Sequence, residues 1–145
     1  MKDLFTILIA DRNPNVRKFL KRELTNEGYG VRLAKNAGEV LHWAYSPEPM
    51  DLVILDPDLP DIEGRALLEK IEDRVPALPI ILHAHTSDYE QLGDRLRLAV
   101  FVEKRGNSVE NLKNVVNEIL TGCPEKRSRL SKENGALFAE PDDEQ

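Results

Sequence analysis

The stretch Asp51-Leu52-Val53-Ile54-Leu55-Asp56-Pro57-Asp58-Leu59-Pro60 decides how this chain folds. Four apolar residues stand between two acids, and a turn follows at once. Such a run suits a strand buried on both faces, as in a parallel sheet layered by helices. Asp56 then falls at the strand's carboxyl end, where open α/β sheets place their chemistry. A second acid holds the equivalent place after the first apolar run, Phe5-Thr6-Ile7-Leu8-Ile9-Ala10-Asp11. Two carboxylates at two strand ends make a candidate metal or phosphate pocket.

Outward from that stretch, apolar runs and helical patterns alternate five times. The first strand (5–10) leads into Asn13-Pro14, a helix cap with proline in the first turn. Val16, Phe19, Leu20 and Leu24 recur at three- and four-residue steps, which is one helix face, and Gly28 stops it. A second strand is expected over 29–33 and a second helix over 38–45, ended by Pro47 and Pro49. The third strand is 52–55. A third helix runs from Gly64 through Ala66, Leu67, Leu68 and Ile71 and closes at Pro76. The fourth strand, 78–82, ends near His83. A thin apolar pattern containing Gly93 predicts a marginal fourth helix over 87–97. Val100-Phe101-Val102 is the fifth strand, with Lys104 just beyond it. The last helix starts with Ser108 as its cap and buries Val109, Leu112, Val116, Ile119 and Leu120.

Strict β-α alternation with short links implies a parallel sheet and right-handed crossovers. Five units in roughly 120 residues match the flavodoxin-like (βα)5 doubly wound arrangement, strand order 2-1-3-4-5. In that order the first and third strands are neighbours at the switch point. Asp11 and Asp56 therefore meet for topological reasons, and Lys104 reaches the same pocket from the adjacent side.

Composition sets broader bounds. At 145 residues and 41% apolar content the chain suits one domain, 1–122, with a polar tail, 123–145. The tail carries Pro124, Pro141 and the acidic run Asp142-Asp143-Glu144, and has too little apolar surface to offset ordering entropy. Leu137 and Phe138 are its exception, an apolar pair able to dock on the domain or a partner. A net charge of −6 argues against general nucleic-acid affinity. The single cysteine, Cys123, excludes an intrachain disulfide framework and fits a reducing compartment. No apolar run approaches the ~20 residues of a membrane span. The expectation is a cytoplasmic protein that engages neither membrane nor nucleic acid.

Three motifs together resemble the receiver domain of bacterial two-component response regulators: Ile7-Leu8-Ile9-Ala10-Asp11-Arg12-Asn13-Pro14, the stretch from Asp51 to Glu63-Gly64, and Phe101-Val102-Glu103-Lys104. The resemblance covers residues 4–121. It implies that Asp56 is a phosphoacceptor, charged by a sensor histidine kinase or phosphotransfer protein, or by a small phosphodonor. It implies Lys104 as the phosphoryl contact and Phe101 as an aromatic switch position. It implies Mg2+ held by Asp11, Asp56 and the backbone of Asp58. Because phosphoryl transfer relies on positioning and charge neutralisation, a metal and a lysine flank the acceptor. No catalysis is implied beyond self-phosphorylation from small donors and autodephosphorylation. Only 23 residues follow Gly122, so a stand-alone receiver is expected, signalling to an unnamed downstream protein through the fourth helix, fifth strand and last helix, or as a homodimer.

Three departures stand out against that pattern. The family has two adjacent acids after the first strand; here the pair is Asp11-Arg12, and a guanidinium repels magnesium. Either Arg12 swings outward and Asp58 lends its carboxylate to a weaker metal site, or Arg12 takes the cation's place between Asp11 and Asp56. The family's Thr or Ser at the end of the fourth strand is His83 or Ala84 here; histidine has a hydrogen bond to give and alanine none. The family's Lys-Pro is Lys104-Arg105, so a trans bond is expected. These departures leave a second class open, a pseudo-receiver that binds without being phosphorylated. A third reading starts from Asp56-Pro57-Asp58, which resembles the Asp-x-Asp nucleophile of haloacid-dehalogenase-type phosphatases. Those enzymes place it on the first strand, follow it with Thr or Val, and carry a larger cap.

Overall fold

The computed structural model describes residues 5–85, 99–106 and 108–122. Five parallel strands, β1 (Thr6–Ala10), β2 (Gly30–Ala34), β3 (Leu52–Leu55), β4 (Ile80–Ala84) and β5 (Ala99–Glu103), form one sheet in the order β2-β1-β3-β4-β5. Among the described residues four helices accompany it: α1 (Pro14–Asn26), α2 (Ala37–Ala44), α3 (Gly64–Glu72) and α4 (Ser108–Thr121). This is the flavodoxin-like order expected from the sequence, with β1 and β3 adjacent at the centre. The expected helix over 87–97 and the tail from 123 onward lie outside the described residues.

Both faces of the sheet are covered, which explains why the central strands read as unbroken apolar runs. Alternation along each strand sorts the core into two layers. Leu8, Val53, Leu55, Ile80 and Leu82 point to one side and meet Val40 of α2 and Leu67, Leu68 and Ile71 of α3. Ile7, Ile9, Ile54, Ile81 and Val102 point to the other and meet Leu20 and Leu24 of α1 and Leu112, Val116 and Leu120 of α4. Lys113 of α4 ties the second layer's helices together across their outer seam. Its ammonium lies 3.0 Å from Glu23 of α1, 3.7 Å from Glu27 and 3.6 Å from Glu110. The partnership raises the Lys113 pKa and lowers that of Glu23, both chiefly through their shared hydrogen bond.

Local signals account for the helix ends. Asn13 accepts from the Asn15 N–H, and Pro14 occupies the first position of α1, where a missing N–H costs nothing. Helix α2 begins one residue earlier than the pattern suggested because Asn36 caps it, accepting from Glu39 N–H at 2.9 Å. Helix α3 ends at Glu72, before Pro76 is reached. Strand β4 starts at Ile80, after Pro79, and includes His83 and Ala84 rather than stopping before them. Ser108 is a corrected expectation: it is the first residue of α4, and its hydroxyl is turned to His83 rather than to the helix's own amides.

Candidate functional site

One backbone hydrogen bond beyond the paired strand residues positions each of the three central side chains. Asp56 N–H donates to Ala10 C=O at 2.8 Å, Asp11 N–H to Ala34 C=O at 3.2 Å, and Lys104 N–H to Ala84 C=O at 2.9 Å. These bonds carry the sheet's ladder one step past β3, β1 and β5, so the side chains are as fixed as the sheet edge itself. Arg17 adds a side-chain bond to the Asp11 carbonyl at 2.6 Å.

The result is a compact charge cluster at the carboxyl edge. Asp11 and Asp56 are 2% and 3% exposed. Lys104 Nζ lies 3.1 Å from Asp11 Oδ2 and 3.6 Å from Asp56 Oδ2. The remaining oxygens are met by turn amides: Asn13 N–H donates to Asp11 Oδ1 and Asp58 N–H to Asp56 Oδ1, both at 2.9 Å. The Arg12 N–H approaches Asp56 Oδ2 at 3.5 Å. Burial pushes the Asp11 carboxyl above its usual pKa. The Asn13 amide and the Lys104 charge oppose that rise, and the neighbouring Asp56 adds to it.

Arg12 turns outward, as the first alternative has it, and does not take the cation's place between Asp11 and Asp56. Its guanidinium pairs with Asp58 Oδ2 at 2.8 Å, in a largely exposed bridge, while Lys104 takes the place between Asp11 and Asp56. All three acids near the site are thus paired with cations. Among the described residues no group of three acid, histidine or cysteine side chains is arranged to hold a metal ion. Magnesium needs near-octahedral oxygen coordination. The two carboxylates it would share, those of Asp11 and Asp56, are already engaged by Lys104, and the Asp58 carboxylate by Arg12, so only the Asp58 backbone carbonyl carries no cation in this arrangement.

The switch region departs further. Alternation separates the two candidates: Leu82 faces the α2–α3 layer and Ile81 the α1–α4 layer, so Ala84 follows the first and His83 the second. Phe101, partly buried against the α2–α3 layer, lies on Ala84's side. Ala84 therefore shares Phe101's face of the sheet, two residues past Phe101's register partner Leu82, and it offers a methyl group. His83 is 5% exposed and contacts Ser108 Oγ through Nε2 at 3.0 Å. Burial first, and the Lys104 charge second, lower its pKa to about 4, which keeps the ring neutral.

Sequence reading did not find the partnership of Ser108 with His83, nor two loop supports. Asp61 accepts from Ala37 N–H at 2.7 Å and Gly38 N–H at 3.0 Å, which lowers its pKa and bolts the loop after Asp56 to the start of α2. Gly64 admits the close pass of Pro57: a Cβ there would sit 2.6 Å from the Pro57 carbonyl oxygen. The Glu63-Gly64 pair was visible in the sequence, but its reason was not.

Comparison with known proteins agrees with this geometry. Residues 7–116 match the response regulator receiver domain model. Among solved structures, the response regulator TrrA of Thermotoga maritima, crystallised with Mg2+ and BeF, is 33% identical, with a TM-score of 0.72, covering 80% of this chain and 99% of that one. A receiver domain protein of Methanospirillum hungatei is 29% identical, with a TM-score of 0.64, covering 79% and 93%. Among curated relatives, the transcriptional regulator NtrC of Proteus hauseri is 32% identical over 58% of this chain and 18% of its own length. The response regulator ArlR of Staphylococcus epidermidis is 34% identical over 59% and 39%. The chain spans less than two fifths of the length of these curated relatives. The family match, the sheet order and the two-acid, one-lysine edge converge: the chain belongs to the response regulator receiver domain family of two-component systems.

Proposed function

We propose that Asp56 of this receiver accepts a phosphoryl group from a sensor histidine kinase or phosphotransfer protein and that the modified domain signals by protein–protein contacts. The observation that carries this reading is the Lys104 ammonium held between the buried carboxylates of Asp11 and Asp56. An Asp56 oxygen attacks phosphorus, the O–P bond forms as the donor's N–P bond breaks, and the leaving imidazole keeps the bonding electron pair. Lys104 neutralises charge on the equatorial oxygens, and the amides of Arg12 and Asp58 orient the acceptor. Support for a kinase partner comes from TrrA, 35% identical to this chain in a complex with the histidine kinase ThkA.

The cation supply differs from the family pattern. With Asp58 paired to Arg12, two side-chain cations stand in the pocket, and phosphorylation is expected to depend weakly on magnesium. For output, β5 with its half-exposed Val100, beside α4, is the surface a downstream protein would read, with Phe101 as the reporting side chain.

One observation favours the second reading, a pseudo-receiver binding module. Ala84, on Phe101's face of the sheet, carries no hydroxyl, so a phosphoryl group on Asp56 would find no hydrogen-bond donor at that position. Intact mass after incubation with a small phosphodonor, with and without Mg2+, separates the two. Gain of one phosphoryl group in wild type and none in Asp56→Asn supports the acceptor. No gain in folded wild type under either condition leaves the binding module.

A further inference from the structure

A cavity of about 430 Å³ opens between the amino-terminal half of α1, the end of β4 and the start of α4. Val16, Phe19, Leu20 and Val109 give it an apolar wall, and Lys104 and Arg105 stand on its rim. Phe19 is 40% exposed, unusual for a side chain of its size, and Arg22 lies over its ring at 5.3 Å. A basic stripe follows on the same helix: Lys18, Lys21 and Arg22, with Thr25 and Asn26, line a shallow outer depression. Neither lysine is ion-paired with any other described residue. Helix α1 thus carries four basic residues against one acid in a chain whose net charge is −6.

We propose that residues 137–144 of this same chain, Leu137-Phe138-Ala139-Glu140-Pro141-Asp142-Asp143-Glu144, dock on α1. Leu137 and Phe138 enter the cavity beside Phe19, and the acids that follow pair with Lys18, Lys21 and Arg22. Order and chemistry match: an apolar pair followed by four acids meets an apolar cavity followed by a basic stripe. The volume falls in the range of ordinary binding clefts and accommodates two large side chains. Reach is ample. Helix α4 ends at Thr121 on the edge opposite the cavity, a distance of ~21 Å for its 14 residues. Fourteen residues lie between Gly122 and Leu137, and the fifteen extended steps from one to the other span ~50 Å. Tethering makes the encounter intramolecular, at an effective concentration on the order of millimolar. The contact stands whether or not Asp56 accepts a phosphoryl group.

Zero-length carbodiimide cross-linking of the full chain tests this, using an equimolar mixture of 14N- and 15N-labelled protein at low ionic strength. Expected products join Lys18 or Lys21 to Glu140, Asp142, Asp143 or Glu144 within one isotopic species. Leu137→Ala with Phe138→Ala, which leaves every amine and carboxylate in place, should lower their yield roughly threefold or more. Salt at roughly 0.5 M should lower it too. Mixed-isotope products would assign the surface to a second copy and overturn the proposal. So would yields at Lys35 and Lys70 equal to those at Lys18 and Lys21, an unchanged yield in the double variant, or no product at all.

Discussion

The two halves of the sheet's carboxyl edge are built to different standards. At β1 and β3, the oxygens of Asp11 and Asp56 meet backbone amides or the Lys104 ammonium, and the residues are fixed by bonds that extend the ladder. At β4, the edge holds a methyl group at Ala84 and a neutral histidine directed to the opposite layer. The first half holds two buried acids and a lysine in one cluster, while the second presents no charged group of its own at Ala84 or His83. The charged cluster and the β4 edge are therefore separable in this fold, because they rest on different strands and different side-chain faces.

Removing the cation breaks the better-built half. Lys104→Ala leaves two buried carboxylates facing each other and should cost about 3 kcal/mol, the low end for opening a buried ion pair. The loss should shrink at acid pH, where Asp11, whose pKa is already raised, takes a proton. Chemical denaturation at pH 7.5 and 5 measures both; an equal loss at the two would contradict the clamp.

The β4 half is tested by titration. Because the folded-state pKa of His83 is depressed to about 4 from 6.5, the unfolded chain binds the extra proton. Stability from this group is present above pH 6.5 and is lost as pH falls from 6.5 to 4, on the order of 3 kcal/mol. In His83→Gln that part of the pH slope should vanish, so the two stability curves should converge toward pH 4. Parallel curves would mean that His83 is not held neutral.

A smaller effect is expected where the acceptor loop passes α3. Gly64→Ala forces a Cβ to within 2.6 Å of a backbone oxygen unless something moves. Overpacking of this kind should cost about 1.5 kcal/mol, read as a lowered melting temperature. The mildest change is Arg12→Ala. Its bridge to Asp58 is exposed, so stability should fall by no more than about 0.5 kcal/mol. The freed Asp58 should nevertheless raise magnesium affinity, measurable by titration calorimetry of wild type and variant.

What the sequence disclosed follows the same division. The apolar runs ending in Asp11 and Asp56 read as buried strands, and their place among five alternating β-α units implied the order that makes the two acids neighbours. Lys104 was legible from its place after Phe101-Val102. The partner of Arg12 was not legible: an exposed side chain with several rotamers chooses among acids by geometry that no spacing encodes. Assignment of His83 and Ala84 required the strand's register, since a shift of one residue exchanges the two faces. Ser108 carried a capping signal that its neighbour across the sheet overrode.

Asp61 has a consequence for how a change at Asp56 would be felt at a distance. Its carboxylate grips the first two amides of α2 from the far end of the acceptor loop. If the loop moves, it must either drag the helix or release those amides to solvent. Amide exchange at Ala37 and Gly38, some twenty residues upstream of Asp56, would then act as a built-in gauge of the acceptor's state, on the side of the domain away from β5.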